Sequence, residues 1–398
     1  MDRHRKSMAG IIGGKSVVVV GAGIVGAATT YFLSKRGFHV RLIEASAPAS
    51  AASGAADGAV SVASKRPGPM MTAALRGIAL YRELEREGLF AGLFKSRPTV
   101  MVAENDSEVE SLLGHAAALA GEGMRLRHLE GDALRRRLPG VAPHVRLAVE
   151  VFDEGHAIGY EIVRRFIAAS GVPVERDSPV TGLAANDAGT SVAAALTAGG
   201  AVEADHFVVA AGGGSAALLG LSEAMRPRKG QLVVTERAPA LAASLPGSLM
   251  SCRYLLSKDA IRTAGEASGR RFGLVIDPLR TGQFLIGGTR EDRDDTGNDH
   301  DAVGRLLAGA VRLMPALARL RAIRAFAGVR TAIRDGLPIV GRVPGFDNLF
   351  AAAGFEGDGI CLGPLMGREV SRLVGGEAAD LDIAPFAPGR FERRNLVA

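Results

Sequence analysis

The chain has 398 residues, 47% of them hydrophobic, and a net charge of +6; that length exceeds one ordinary core and predicts two domains. Its arginines are scattered and it has only 4 Tyr and no Trp, so no basic block interleaved with aromatics exists to grip a nucleic acid. Cys252 and Cys361, the only cysteines, offer neither a disulfide framework nor a metal-ligand spacing, which points to a reducing, cytoplasmic compartment.

Residues 1–14 lack the apolar segment of a signal peptide and read as a flexible tail. The informative stretch follows at once. Val17–Val20 form a run of β-branched residues, as in a parallel strand buried on both faces. Gly21, Gly23 and Gly26 come next at G-x-G-x-x-G spacing. In such a motif the first glycine permits the turn, the second admits a pyrophosphate and the third lets helix pack on strand. Ile24 and Val25 open a helix whose N-terminus presents free N–H groups and the positive end of its dipole. A second strand ends at Glu44, where a carboxylate can hold both ribose hydroxyls. Strand, glycines, helix, strand and acid in this order predict an adenine dinucleotide, FAD or NAD, and disfavour a 2′-phosphate.

Beyond Glu44, Ala45 begins a segment of small residues that includes Ser53 and Gly54 and is expected to lie against the cofactor. Helical periodicity recurs over 71–89, and 99–103 and 145–152 read as strands. Asp153–His156 reads as a turn, and neither His156 nor His128 has a companion at metal-ligand spacing. An apolar strand then runs into Ala211, Gly212, Gly213 and Gly214, a second place where backbone can pack on a nucleotide. Arg228–Gln231 lead into a strand over 232–235, further strands are expected at 272–276, 283–287 and 326–330, and a helix over 302–320 is interrupted by Pro315. The last block, Gly354 to Ile360, repeats the logic of strand, glycine loop and helix.

Taken together, Val17–Glu44, the segment 53–64, Asp205–Ser215, Lys229–Gln231 and Phe326–Ile360 resemble the D-amino acid oxidase-like flavoprotein superfamily. The element Asp335-Gly336-x-Pro338-x-x-Gly341 carries most of that resemblance, and nicotinamide Rossmann enzymes lack it. The resemblance implies an α/β fold: a Rossmann-like, glutathione-reductase-like FAD-binding domain from 15–95, 145–225 and 326–385. A second, antiparallel-sheet α+β substrate domain is expected from 96–144 and 226–325. It implies non-covalent FAD, with Val180, Gly357, Asp358, Gly359 and Ile360 joining the cofactor contacts, and no metal. It also implies oxidation of a C–N bond of an amino or imino acid by hydride transfer to the flavin N5.

Arg330, in Ala-Gly-Val-Arg-Thr, is similar to the family's Gly-Leu-Arg-Pro element and is expected to anchor the substrate carboxylate through its guanidinium fork. Glycine oxidase carries a second substrate arginine where this chain has Gly357, and an active-site tyrosine that matches near Val275. Both departures argue against glycine as substrate. The Glu356-Gly357-Asp358-Gly359-Ile360 form looks like the hydroxyproline dehydrogenase and opine oxidase branch, with Glu356 facing a substrate amine or hydroxyl, or the loop's own amides. The expectation is therefore a secondary or D-amino acid, with a cis-4-hydroxy-D-proline-like imino acid the best single substrate. The alternatives are the flavin subunit of a multi-subunit opine or hydroxyproline oxidoreductase, or a flavin-binding subunit without its own substrate chemistry. Oxygen or the respiratory chain would take the electrons, with partner subunits or a homo-oligomer and a peripheral place at the inner membrane both compatible with that branch.

Overall fold

The computed structural model describes residues 14–256 and 269–391; the tail expected over residues 1–14 lies outside them except for Gly14. A six-stranded sheet runs in the order Ile339–Arg342, Leu349–Ala353, His206–Val209, Ser16–Val20, His39–Ile43, Val174–Glu175. All neighbours are parallel except the first pair. The valine run sits near its centre because it has no polar face to leave in water. Val17 and Val19 pack into one core and Val18 and Val20 into another.

Helices cover this sheet. Helix Ile24–Lys35 packs between helix Gly159–Ser170 and the C-terminal helix Gly359–Val374. Two glycines let the last pair approach closely. A β-carbon at Gly363 would stand 2.9 Å from Ile24 Cγ2, and one at Gly367 2.8 Å from both Ala28 Cβ and Thr29 N.

An eight-stranded sheet forms the second layer, ordered Ala322–Ile333, Met225–Thr235, Phe284–Arg290, Arg271–Pro278, Ser248–Ser251, Thr99–Ala103, Leu147–Val151, Leu126–Glu130. It is antiparallel apart from the Ser248–Ser251 and Thr99–Ala103 pair. Two strands whose sequence neighbours go to the nucleotide layer, Leu147–Val151 and Ala322–Ile333, pair here, so the chain crosses between layers within both segments.

Three elements differ from the sequence expectation. Arg228–Gln231 are inside strand Met225–Thr235 and do not precede it. The buried charges that argue against a strand are neutralised, Arg228 by Asp292 at 2.8 Å and Lys229 by Asp295. His156 lies in the short strand Gly155–Ala157, paired on both sides by Ala59–Val60 and Phe94–Ser96, and not in a turn. The helix expected to reach 320 stops at Leu313, and Pro315 starts a 3₁₀ turn, since proline has no N–H to continue the ladder.

Candidate active site

Two helices aim their N-termini at one place. Helix Ile24–Lys35 starts at Gly23 with no side-chain cap and no acid in its first turn, so its dipole is left for a ligand. Ser53 Oγ accepts the Ile24 N–H at 2.9 Å, joining the small-residue segment to the glycine turn. Gly21 has φ +102, and a β-carbon there would stand 2.6 Å from the Ala210 carbonyl oxygen. Only glycine fits that position, where the turn crosses the neighbouring strand. The C-terminal helix begins beside it, after the 3₁₀ turn Glu356–Asp358.

Between these termini lies a cavity of about 530 Å³. Its nucleotide end is lined by Gly21, Gly23, Ile24, Val25, Glu44 and Ala45. The Glu44 carboxylate is fixed by two backbone donors, Ala22 N–H at 2.7 Å and Ser46 N–H at 2.9 Å. Ser53, Val180, Ala211 and Gly212 add backbone and small side chains along its length, and Gly357, Gly359 and Ile360 close it from the C-terminal loop. The three glycine-rich turns thus converge, as their sequence pattern predicts.

The far end carries the charge. Arg330 lies flat on Gly230 of the adjacent strand, where a β-carbon would stand 2.5 Å from Arg330 Cζ and 2.6 Å from Nη1. Arg330 Nη1 donates to the Thr289 carbonyl at 3.2 Å. Beside it, Arg290 is 4% exposed; its Nη2 donates to the Tyr254 hydroxyl at 2.8 Å and its Nε pairs with Glu356 Oε1 at 3.3 Å. Glu356 holds φ +46, a left-handed conformation that costs a non-glycine residue about 1 kcal/mol. Its Oε2 accepts the Gly357 N–H at 2.8 Å. Asp57 also lines this cavity, and burial followed by the nearby Asp277 carboxylate pushes its carboxyl up from the ordinary range.

Of the residues expected from sequence, Gly26, Gly54 and Asp358 lie off the cavity wall. Gly26 packs on the Gly21 carbonyl, and Gly54 donates its N–H to Ala51 O at 3.1 Å. Asp358 turns the other way and pairs with the buried Lys65 at 2.7 Å, facing a neighbouring cavity. Val275 is a buried strand residue paired with Met250, and the tyrosine of this site is Tyr254. Sequence reasoning missed Tyr254, Arg290 and the seat at Gly230. For Arg290 a signal existed: an apolar strand ending in Gly287-Gly288-Thr289-Arg290. No cluster of three or more potential metal ligands occurs among the described residues.

Neither cysteine lines the cavity. Burial pushes the Cys361 thiol up to about 11, away from thiolate character.

A family model described as FAD dependent oxidoreductase matches residues 16–373. The chain belongs to that family. It is 28% identical to the hydrogen cyanide synthase subunit HcnC of Pseudomonas aeruginosa, over 94% of this chain and 96% of that protein. It is also 28% identical to the glycine oxidase of Geobacillus kaustophilus, over 93% and 96% of the two chains. The solved L-proline dehydrogenase from P. horikoshii superposes with a TM-score of 0.80 at 20% identity, covering 96% of this chain and all of that one, which shows a shared fold.

The cofactor of this FAD-dependent oxidoreductase is FAD, and the residues fit it. The helix N-terminus behind Gly23, a residue with no side chain, has no acid in its first turn and suits the pyrophosphate, and the fixed Glu44 carboxylate keeps lone pairs for the ribose hydroxyls. The glycine turns that line the cavity would let backbone approach a bound flavin closely. No helix among the described residues is long and apolar enough to cross a membrane.

Proposed function

We propose that this enzyme oxidises the C–N bond of a secondary or D-configured amino acid, with a cis-4-hydroxy-D-proline-like imino acid as the best single substrate. The observation that carries the reading is Arg330, whose guanidinium lies on Gly230 at the end of the flavin cavity. A fork held flat in that position suits bidentate capture of an α-carboxylate. Bound FAD supplies the hydride acceptor. The chain's own residues fix the carboxylate, hold the α-C–H against the flavin and keep water out, so that the amine lone pair forms C=N as the hydride leaves. The imine then hydrolyses, or stays cyclic if the nitrogen is in a ring. Relatives and neighbours named for glycine and L-proline support an amino-acid substrate.

The deciding experiment is anaerobic flavin bleaching against D- and L-amino acids, prolines and sarcosine, followed by Arg330→Ala. The variant should keep the flavin spectrum while KM rises by about 100-fold, the loss of a charge-assisted contact of about 2–4 kcal/mol. An unchanged KM would move the carboxylate to another residue. A second reading is supported by the relative named as a subunit: this chain works as the flavin subunit of a larger cytoplasmic or inner-membrane assembly. Bleaching without turnover on oxygen until partner subunits or an artificial acceptor is added would favour it.

A further inference from the structure

Carboxylate capture by Arg330 and hydride transfer to the flavin make no use of three residues at the same end of the cavity, Tyr254, Arg290 and Glu356. Arg290 is nearly buried, yet it spends two nitrogens on groups that face the cavity, Nη2 on the Tyr254 hydroxyl at 2.8 Å and Nε on Glu356 Oε1 at 3.3 Å. Its guanidinium carbon stands 4.6 Å from the centre of the Tyr254 ring, which adds a cation–π contact. The ring itself rests on two glycines. A β-carbon would stand 2.5 Å from Tyr254 Cδ2 at Gly273 and 3.5 Å from Cε2 at Gly288. Glu356 reaches this set from a left-handed backbone that few side chains adopt. Two strands of the large sheet, the helical segment that carries Tyr254 and one strained residue therefore combine to hold a hydroxyl and a carboxylate at fixed spacing.

We infer that Tyr254 and Glu356 recognise a hydroxyl group on the substrate, and that Arg290 is the positioning residue that holds them. The inference rests on the amine-oxidising reading and deepens it. Charge decides the class of substituent. Among the described residues the Arg290 and Glu356 charges balance, so this pair with Tyr254 offers donors and an acceptor, the complement of a neutral group that both gives and takes a hydrogen bond. A second carboxylate would face Glu356, and a distal ammonium would face Arg290; each would leave a like-charge contact in a partly desolvated wall. Arg330 is held differently, by neutral groups, the Thr289 carbonyl and the Gly230 backbone. Its charge answers to the substrate carboxylate; Asp57, the other acid at this end, is close enough to feel Arg330, accepts the Ala59 N–H at 3.2 Å and has its carboxyl raised chiefly by burial.

The test compares substrates that differ only by the hydroxyl: cis-4-hydroxy-D-proline with D-proline, and trans-4-hydroxy-L-proline with L-proline. Anaerobic flavin reduction gives the efficiency for each, and thermal shift of the dithionite-reduced holoprotein gives binding without turnover. The wild type should favour a hydroxylated member at least about tenfold in both readouts. Glu356→Gln, Arg290→Lys and Tyr254→Phe should each bring that ratio to within about threefold of one, whatever they do to overall efficiency. Tyr254→Phe removes a single oxygen and guards against misfolding of the Arg290 variant. Flavin reduction with no hydroxyl preference in the wild type overturns the inference alone, as does a preference that survives in Arg290→Lys and Tyr254→Phe. No reduction by any amine overturns the amine-oxidising reading and this inference with it.

Discussion

Gly230 is the seat of Arg330: the guanidinium occupies the space a side chain on the neighbouring strand would fill, with Cζ 2.5 Å from where a β-carbon would stand. Arg228 and Arg330 are partners across the same ladder, so the arginine reaches diagonally over the glycine and not straight across. Gly230→Ala should therefore dislodge Arg330 and leave the fold in place. The expected outcome is a rise in substrate KM of about 10- to 100-fold with an unchanged flavin spectrum. A KM equal to wild type would show that the guanidinium binds substrate from another position.

The glycine contact between the two helices that point at the cofactor gives a second prediction. Gly367→Val puts methyl groups where Ala28 and Thr29 already stand, 2.8 Å from the added β-carbon. The helices must separate, which costs about 1–3 kcal/mol and shifts both N-termini. FAD titration should show weaker binding together with a lower melting temperature; weaker binding is the specific part.

Beneath the active site, Arg97 and Asp277 form a buried pair at 2.7 Å, 6% and 1% exposed. Arg97 also donates to the Pro278 carbonyl at 2.6 Å and to Ser248 Oγ at 3.0 Å. Asp277→Leu should cost about 3–5 kcal/mol because it strands a buried cation. The double variant Arg97→Met, Asp277→Leu should cost clearly less than the sum of the two single changes. Chemical denaturation of the four proteins measures the coupling.

His156 makes stability depend on pH. Burial, and then the nearby Arg97, lower its pKa from 6.5 to about 3, while Nε2 sits 2.8 Å from the Asp57 carbonyl. A histidine kept neutral in the fold binds fewer protons than in the unfolded chain throughout that window. Its share of stability is complete above the unfolded value and is lost as pH falls toward the folded one, about 2–3 kcal/mol by roughly pH 4.5. Asp57 and Asp277, whose carboxyls are raised by burial, add pH-dependent contributions of the opposite sign. The measurement is therefore a difference: the melting temperature of His156→Gln should fall less between pH 7 and 4.5 than that of the wild type.

The nucleotide half was legible because its signals are local: Val17 to Glu44 carry strand, turn, helix and acid within one short stretch. The place of Arg330 on the cavity wall was legible because it stands in a short conspicuous element. Tyr254 and Arg290 were not: the register of the large sheet brings Arg290 to this wall, and Tyr254 reaches it from a helical segment by resting on Gly273 and Gly288 of that sheet. Asp358 was misplaced for a related reason. A glycine loop shows that backbone will approach a ligand, yet the 3₁₀ turn Glu356–Asp358 decides which side chain faces inward, and it sends Asp358 to Lys65. Charged strand residues such as Lys229 were hidden by partners that lie far along the chain.

The convergence of Gly21–Val25, Ala211–Gly214 and Gly354–Ile360 on one cavity has a consequence for the life of the protein. These segments are far apart in the chain, so a ligand that touches all three acts as a reversible cross-link and offsets the entropy of closing long loops. Occupancy then stabilises the folded state in proportion to the logarithm of flavin concentration over its dissociation constant. Flavin supply becomes a control on how much of this protein persists: chains made without it hold their three turns together by packing alone and are the first to be degraded.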